Sequence, residues 1–128
     1  MNVLLDTHIF IWYFQGNERI ITKALEILED PDNSLYLSIA SLWEIAIKMG
    51  LGKLSLEVSF HELQTILDQL LIRILPITFA DTELYQGLPF HHKDPFDRII
   101  ISQAINHSLL IVTADKAFDA YPIQRVWE

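Results

Sequence analysis

The sequence predicts an α/β fold, a three-layer α/β/α sandwich with a central, mainly parallel sheet. Strand-like and helix-like segments alternate along the chain, which is typical of a sheet covered by helices on both faces. The segments "VLL" (3–5) and "LLIV" (109–112) are continuously apolar, as expected of strands buried on both faces. The chain has 128 residues, of which 51% are hydrophobic, and this is enough for a sizeable core. We therefore expect residues 1–128 to form a single domain.

Apolar periodicity and β-prone runs predict the elements of the first half of the chain. They are a strand at 2–6, a helix at 8–14, a helix at about 19–29, a turn at 30–33, a strand at 34–38 and a helix at 39–49. The second helix depends on Ile20, Ala24 and Leu28, which recur at helical spacing. The third helix is expected to end at Gly50 as its C-cap.

The second half of the chain continues the alternation. The predicted elements are a helix at about 59–70, a strand at 72–77, a helix at 79–86, a helix at 95–107, a strand at 109–115 and an edge strand at 123–127. Pro76 interrupts the strand at 72–77. Asp94 precedes Pro95, which predicts an N-cap followed by proline at the first helical position.

Charge and composition exclude several classes of protein. With 9 Lys and Arg against 17 Asp and Glu, the net charge of −8 argues against a broad basic surface for nucleic acid. A local basic rim, or acids gathered around a cation, remains open. The absence of cysteine excludes disulfides, thiol catalysis and cysteine metal sites. It also suits a reducing cytoplasm, where we expect the protein. No apolar run reaches the roughly 18 residues that span a bilayer, and the N-terminus does not read as a signal peptide.

Four acidic residues are the candidates for chemistry. Asp6 and Asp115 end the two most apolar strands, and ligands of parallel sheets bind beyond the carboxyl ends of strands. If these strands are neighbours, the two acids converge there. Glu44 and Asp97 lie in helices that begin near 39 and 95, and these helices are expected to bring them to the same end.

Carboxylates packed together repel one another, and a hard divalent cation removes that conflict. Mg²⁺ takes few protein carboxylates and leaves room for a phosphate oxygen, and Mn²⁺ is bound by similar ligands. Such a site activates water and stabilises phosphodiester displacement. We expect Asp6, Glu44 and Asp97 to be the main ligands, with Asp115 as an outer or second-metal ligand.

Each of these acids also has a structural explanation, which the sequence leaves open. The alternatives are an N-cap for Asp6, an ion pair with Lys48 for Glu44, a first-turn position for Asp97 and a turn cap for Asp115.

The remaining polar and aromatic residues are expected to be structural. Adjacent His91 and His92 point in different directions and have no HExxH motif or cysteine partner, so zinc is not expected. Solvated acids are expected at Asp81, Glu83 and Asp119, satisfied structural histidines at His8, His61 and His107, and core aromatics at Phe10, Trp12 and Trp43. No dinucleotide, P-loop or serine-hydrolase motif occurs.

Taken together, the acid-bearing segments resemble the PIN-domain family, and specifically VapC-type toxin ribonucleases of type II toxin–antitoxin systems. The matching segments are "LLDTHIFIW" (4–12), "SIASLWEIAIKMGLGKL" (38–54), "HHKDPFDRIIISQA" (91–104) and "LLIVTADKAFDAY" (109–121). With the spacing between them they cover nearly the whole chain.

The resemblance implies a Mg²⁺- or Mn²⁺-dependent endoribonuclease on a PIN-like α/β/α sandwich. Carried over by position, the catalytic and metal-binding acids are Asp6, Glu44, Asp97 and Asp115. Support for these acids or for a metal-bound water is expected from Thr7, Ser41 and Thr113. The family also implies an RNA substrate, a homodimer, and a cognate antitoxin whose peptide covers the active site.

The resemblance also predicts where partners bind. A basic rim around the acids is expected from Lys48, Lys53, Lys93, Arg98 and Lys116, although Arg98 has an equally good structural interpretation. An apolar groove for the antitoxin is expected at the helices of 20–29 and 39–70.

Two other functions remain open. A phosphatase with Asp6 as nucleophile requires a second Asp two positions later, where this chain has His8. A catalytically inactive PIN-like module that binds RNA or protein is the other alternative, and the presence of all four acids argues against it.

Overall fold

The structure is a computed structural model, and it describes residues 1–127. Five strands form one sheet in the order β3-β2-β1-β4-β5, and all four pairings are parallel. The strands are β1 (Asn2–Leu5), β2 (Ser34–Ser38), β3 (Ile72–Leu75), β4 (Leu110–Val112) and β5 (Gln124–Val126). The predicted α/β fold and the predicted neighbourhood of the first and fourth strands are therefore confirmed.

Six α-helices and one 3₁₀ helix connect the described strands. They are α1 (Thr7–Gln15), α2 (Thr22–Glu29), α3 (Ile39–Gly50), α4 (Glu62–Gln69), α5 (Phe79–Gln86), α6 (Pro95–His107) and the 3₁₀ helix Lys116–Ala120. None of the helices in residues 1–127 is long and apolar enough to cross a membrane.

Successive side chains of β1 point to opposite faces of the sheet and enter two different hydrophobic cores. Val3 and Leu5 pack with residues of α1 to α4 on one face of the sheet. Leu4 packs on the other face with residues of α6 and with Phe118 of the 3₁₀ helix. All three β1 side chains are fully buried, and each such burial contributes roughly 1.5–3 kcal/mol. The result is a three-layer sandwich in which β1 is held rigidly at the centre.

Several predicted boundaries differ from those observed, for local reasons. The strand predicted at 72–77 ends at Leu75, because Pro76 has no N–H to donate to a neighbouring strand. The strand predicted at 109–115 is only three residues long, since the chain leaves the sheet before Asp115. Gly50 is not a C-cap: it lies within the last turn of α3, and the left-handed glycine that follows is Gly52, with φ of 70°.

Candidate active site

A cavity of about 390 Å³ opens where β1 and β4 end. All four predicted acids line this cavity, and Lys48 lines it with them. β1 and β4 are hydrogen-bonded neighbours, so residues that follow them emerge side by side. The sequence prediction that these acids share one end of the sheet is therefore borne out by their placement.

Asp6 is held in a fixed position where β1 leads into α1. Its backbone N–H donates to the Val112 carbonyl at 3.1 Å, which extends the pairing of β1 with β4 by one residue. One carboxylate oxygen, Oδ1, accepts from the His8 N–H at 3.3 Å and caps α1, while Oδ2 accepts from Thr113 Oγ1 at 2.6 Å. Only 7% of Asp6 is exposed, and this burial raises the pKa of its carboxyl despite those two hydrogen bonds. The Asp6 side chain therefore both caps α1 and lines the cavity.

Glu44 projects into the cavity from α3 and is only 6% exposed. Its Oε2 contacts Lys48 Nζ at 2.7 Å, so the predicted pairing four residues along the helix is confirmed. The glutamate end of this pair is buried, unlike the solvent-exposed pairs that this spacing usually produces. The hydrogen bond to Glu44 raises the pKa of the Lys48 ammonium.

Asp97 lies in the first turn of α6, as predicted, and its carboxyl has an unusually high pKa. Asp94 caps the helix by accepting from the Phe96 N–H at 2.8 Å, which brings a second carboxylate next to Asp97. Burial, followed by the charges of Asp94, Asp6, Glu44 and Asp115, raises the pKa of Asp97 from 3.8 to about 7. Near neutral pH this carboxyl is therefore only partly ionised.

Asp115 lies at the mouth of the cavity and is the most exposed of the four acids. Its Oδ1 accepts from the Ala117 N–H at 2.9 Å, so it caps the 3₁₀ helix and the predicted turn cap is confirmed. Its own N–H donates to Thr113 Oγ1 at 3.1 Å. Its Oδ2 lies 3.5 Å from the Nε2 atom of His92.

Of the three predicted supporting hydroxyls, Thr113 alone bonds to the acids in the described structure. Its Oγ1 donates to Asp6 and accepts from the Asp115 N–H, so one buried hydroxyl links two of the four acids. The hydroxyl of Thr7 donates to Ser41 Oγ at 2.8 Å and joins α1 to α3 behind the cavity. The N-cap of α1 is Asp6, and Thr7 is the first residue of that helix.

Comparison with known proteins places the chain in a family. A model of the PIN domain matches residues 3–124, which is nearly the whole chain. The protein belongs to the PIN-domain family. It is 28% identical over 116 residues to Ribonuclease VapC22 of Mycobacterium tuberculosis, covering 89% of this chain and 87% of that protein.

Solved structures resemble this PIN domain over their whole length. VapBC-1 from nontypeable Haemophilus influenzae matches with a TM-score of 0.71 at 21% identity, over 98% of this chain and 97% of that one. VapBC2 from Rickettsia felis, bound to a DNA fragment from its promoter, matches with a TM-score of 0.68 at 23% identity, over 100% of both chains. The predicted resemblance to VapC-type proteins and the predicted fold are confirmed.

Of the two interpretations left open for Arg98, the structural one is confirmed in this PIN domain, and the residue is not part of a basic rim. The side chain is buried, and its guanidinium donates to four backbone carbonyls: Tyr85 (3.3 Å), Leu88 (3.3 Å), Pro89 (2.9 Å) and His92 (3.4 Å). It also lies 4.9 Å from the Tyr85 ring centroid and 4.3 Å from that of Phe90. Arg98 thus holds together the segment between α5 and α6, in agreement with its structural interpretation.

The prediction that Asp81 is solvated is wrong. The residue is completely buried at the first turn of α5, where its Oδ2 accepts from the Thr78 N–H at 2.9 Å in a capping box. Its Oδ1 accepts from Asn106 Nδ2 at 2.8 Å and lies 3.0 Å from His107 Nε2. His107 is a satisfied structural histidine, as predicted, and its partner is this acid.

The three aromatic residues expected in the core have different environments. Phe10 is fully buried, as predicted, whereas Trp12 is half-buried and lines the acidic cavity. Trp43 is 62% exposed, so the core prediction fails for it. Helical periodicity places a residue on a face of a helix, but another element must cover that face before the residue is buried.

Sequence reasoning did not predict that His92 would lie beside two of the candidate acids. Its ring, Asp97 and Asp115 each offer one possible ligand atom, and these atoms all lie within 4.8 Å of one another. The sequence feature that could have placed it there is its position two residues before Asp94, the N-cap of the helix that carries Asp97.

Proposed function

We propose that the protein is a metal-dependent endoribonuclease, the toxin component of a toxin–antitoxin pair, and that residues 1–128 act as one nuclease domain. The observation that carries the proposal is the convergence of Asp6, Glu44, Asp97 and Asp115 on one cavity. The similarity to a relative named as a ribonuclease, VapC22, supports RNA as the substrate. We further propose that the protein acts on this substrate in the cytoplasm.

The residues of the cavity fit a hard divalent cation, Mg²⁺ or Mn²⁺. The donors are carboxylate oxygens, which suit both ions. Burial and four neighbouring carboxylates hold the pKa of Asp97 near 7, and a cation among these groups removes that repulsion. Asp6, Glu44 and Asp97 would be the main ligands, with Asp115 as an outer or second-metal ligand. The chemistry that a bound cation supplies is a water of lowered pKa and positive charge opposite the scissile phosphate.

The protein's own side chains position this site and its substrate. The Thr113 hydroxyl orients the Asp6 carboxylate through the 2.6 Å hydrogen bond. The Lys48 ammonium is half-exposed beside Glu44, where it can contact a phosphate of the RNA. Lys53, Lys93 and Lys116 are exposed and are the remaining candidates for a basic rim.

We propose that the antitoxin binds an apolar groove between α3 and α4. Leu42, Phe60, Leu63 and Leu67, all within the predicted segment 39–70, line a cavity of about 290 Å³ there together with Ile74 of β3. A solved structure from Klebsiella pneumoniae that resembles this chain is described as a toxin–antitoxin complex, at 25% identity and a TM-score of 0.63, over 97% of this chain and 95% of that one. An amphipathic segment of the antitoxin fits such a groove.

We propose that the homodimer forms through a second apolar surface around Trp43. The exposed Trp43 ring contacts Phe96 edge-on, with centroids 5.4 Å apart, and both rings line a cavity of about 290 Å³ with Ile77 and Tyr85. Sedimentation of Trp43→Ser is expected to shift toward the monomer, whereas Phe60→Ser in the α3–α4 groove stays dimeric. Equal sedimentation of parent and Trp43→Ser would contradict this assignment.

The test of the nuclease function is RNA cleavage by Asp6→Asn beside the parent, with Mg²⁺ and with EDTA. The substitution removes charge but keeps shape, so the fold is expected to persist while cleavage falls at least about 100-fold. Asp68→Asn, at an exposed position of α4, is the matched control and is expected to cleave as the parent does. Cleavage that survives both Asp6→Asn and EDTA would refute the proposal.

A further inference from the structure

The His92 side chain is buried without hydrogen-bond partners. Only 9% of it is exposed, and neither Nδ1 nor Nε2 has a hydrogen-bond partner in the structure. The ring lies edge-on to Phe118, with centroids 5.1 Å apart, and 5.5 Å from the Tyr121 ring. Buried polar atoms are nearly always satisfied, so this imidazole requires an explanation.

The His92 ring lies close to two acids, Asp97 and Asp115, that line the cavity. Its Nε2 atom lies 3.5 Å from Asp115 Oδ2, which is too long for a good hydrogen bond. The two groups form an ion pair only if the imidazole is protonated. One ring nitrogen of His92 and one carboxylate oxygen each of Asp97 and Asp115 lie within 4.8 Å of one another. Neighbouring ligand atoms of one cation with bonds of about 2.1 Å lie about 3 Å apart, so small side-chain movements bring these three atoms to one ion.

We propose that His92 Nε2, together with Asp97 and Asp115, is a ligand of a bound Mn²⁺ ion and makes the site prefer Mn²⁺ to Mg²⁺. Mg²⁺ is bound almost entirely by oxygen and gains little from an imidazole nitrogen, whereas Mn²⁺ belongs to the divalent first-row ions that mixed nitrogen and oxygen sites bind. The inference rests on the proposed metal-dependent function, because it shares Asp97 and Asp115 with that site. It adds a ligand and a preference that carboxylates alone do not provide.

The segment that carries His92 is held in place from two sides, as a ligand requires. The backbone N–H of His92 donates to the Tyr121 hydroxyl at 2.9 Å, and its carbonyl accepts from the buried Arg98 at 3.4 Å. The neighbouring His91 is exposed and contacts Tyr121 edge-on at 5.0 Å. His91 therefore offers a matched control one residue away.

The test is electron spin-echo envelope modulation of the Mn²⁺-loaded protein, which detects nitrogen bonded to the ion independently of activity. His8 also lines the cavity, so the variants are His92→Gln, His91→Gln and the double variant His8→Gln/His91→Gln. We expect ¹⁴N modulation in the parent, in His91→Gln and in the double variant, and its loss in His92→Gln. Labelling of the parent's histidines with ¹⁵N is expected to replace the ¹⁴N pattern.

Calorimetry with MnCl₂ and MgCl₂ gives the second readout. In His92→Gln the Mn²⁺ affinity is expected to fall about 10–100-fold while the Mg²⁺ affinity changes by less than about threefold. If His92→Gln does not fold, the double variant decides, because loss of its ¹⁴N signal would overturn the inference. Absence of bound Mn²⁺ or of ¹⁴N modulation in the parent would overturn it as well.

These outcomes are separable from those of the nuclease assay. If RNA cleavage depends on Asp6 but the Mn²⁺-loaded protein shows no ¹⁴N modulation, the nuclease function stands and His92 is rejected as a ligand. If the ¹⁴N signal is clear but the protein cleaves no RNA, His92 stands as a ligand and the nuclease function is rejected.

Discussion

Replacing Asp97 with Asn is expected to stabilise the metal-free protein above pH 7. Burial and four neighbouring carboxylates raise the pKa of Asp97 from 3.8 to about 7. Without screening by solvent, this pKa difference would correspond to a loss of about 4 kcal/mol in the free energy of unfolding when Asp97 is ionised. The side chain is partly exposed, and solvent screening reduces this loss to about 1–2 kcal/mol. The variant also loses the favourable charge in the first turn of α6, worth about 0.3–1 kcal/mol. The net increase in the free energy of unfolding of Asp97→Asn is therefore about 1 kcal/mol.

The pH dependence of this gain has a definite sign. The folded state holds the Asp97 proton up to about pH 7, whereas the unfolded chain releases it near pH 4. The folded state therefore binds more protons between these values, and the contribution of Asp97 to stability falls as the pH rises through them. The advantage of Asp97→Asn is absent below about pH 4 and complete above about pH 7.

Thermal unfolding in EDTA at pH 5 and pH 8 measures the effect. At pH 8 the variant is expected to melt about 3–6 °C above the parent, and at pH 5 the difference shrinks. Added MnCl₂ should raise the melting temperature of the parent more than that of the variant, because the variant lacks a ligand. The exposed Asp68→Asn serves as the control and should shift stability by less than about 0.5 kcal/mol. A folded Asp97→Asn that melts below the parent at pH 8 in EDTA would refute the reasoning.

Two further substitutions test the network around the site. Thr113→Val removes the hydroxyl that joins Asp6 to the Asp115 N–H, so RNA cleavage is expected to drop about 10–100-fold; unchanged cleavage would show that this hydroxyl does not position Asp6. Asp81→Ala leaves the Thr78 N–H and the Asn106 amide without their buried partner, so denaturant unfolding is expected to show a loss of about 1–3 kcal/mol or more in the free energy of unfolding. The Mn²⁺ affinity of the folded variant, measured by calorimetry, is expected to be unchanged.

Short-range signals predicted much of the fold. The alternation of strands and helices gave the sandwich, and the continuous apolar runs identified the central strands β1 and β4. The pair Asp94–Pro95 predicted the start of α6 to the residue, because an N-cap followed by proline depends only on neighbouring positions. Where the signal was weaker, boundaries shifted: α2 begins at Thr22 rather than near 19, and α4 at Glu62 rather than near 59.

The shared position of the four acids at one cavity could be predicted because topology and chemistry agreed on them. Asp6 and Asp115 follow strands that any parallel arrangement brings to one edge, and the helices that begin near 39 and 95 were expected to bring Glu44 and Asp97 to the same end. The resemblance to the PIN-domain family identified the same four residues. The resemblance named Thr113 as a support for the acids, but no local pattern indicated that it bonds to Asp6, because the two lie 107 residues apart and meet only where β1 and β4 pair.

By itself, the sequence determined the layer architecture, the central strands and the set of acids, because these depend on periodicity, caps and the rule that parallel strands end at one edge. Only the tertiary structure decided which polar groups are buried and what they contact. Asp81, Arg98 and His92 look alike as polar residues in loops and helix ends, yet packing buries the first two among hydrogen-bond partners and leaves the His92 ring buried with none. The free energy of a buried polar group depends on its partners, and distant segments of the chain bring those partners together.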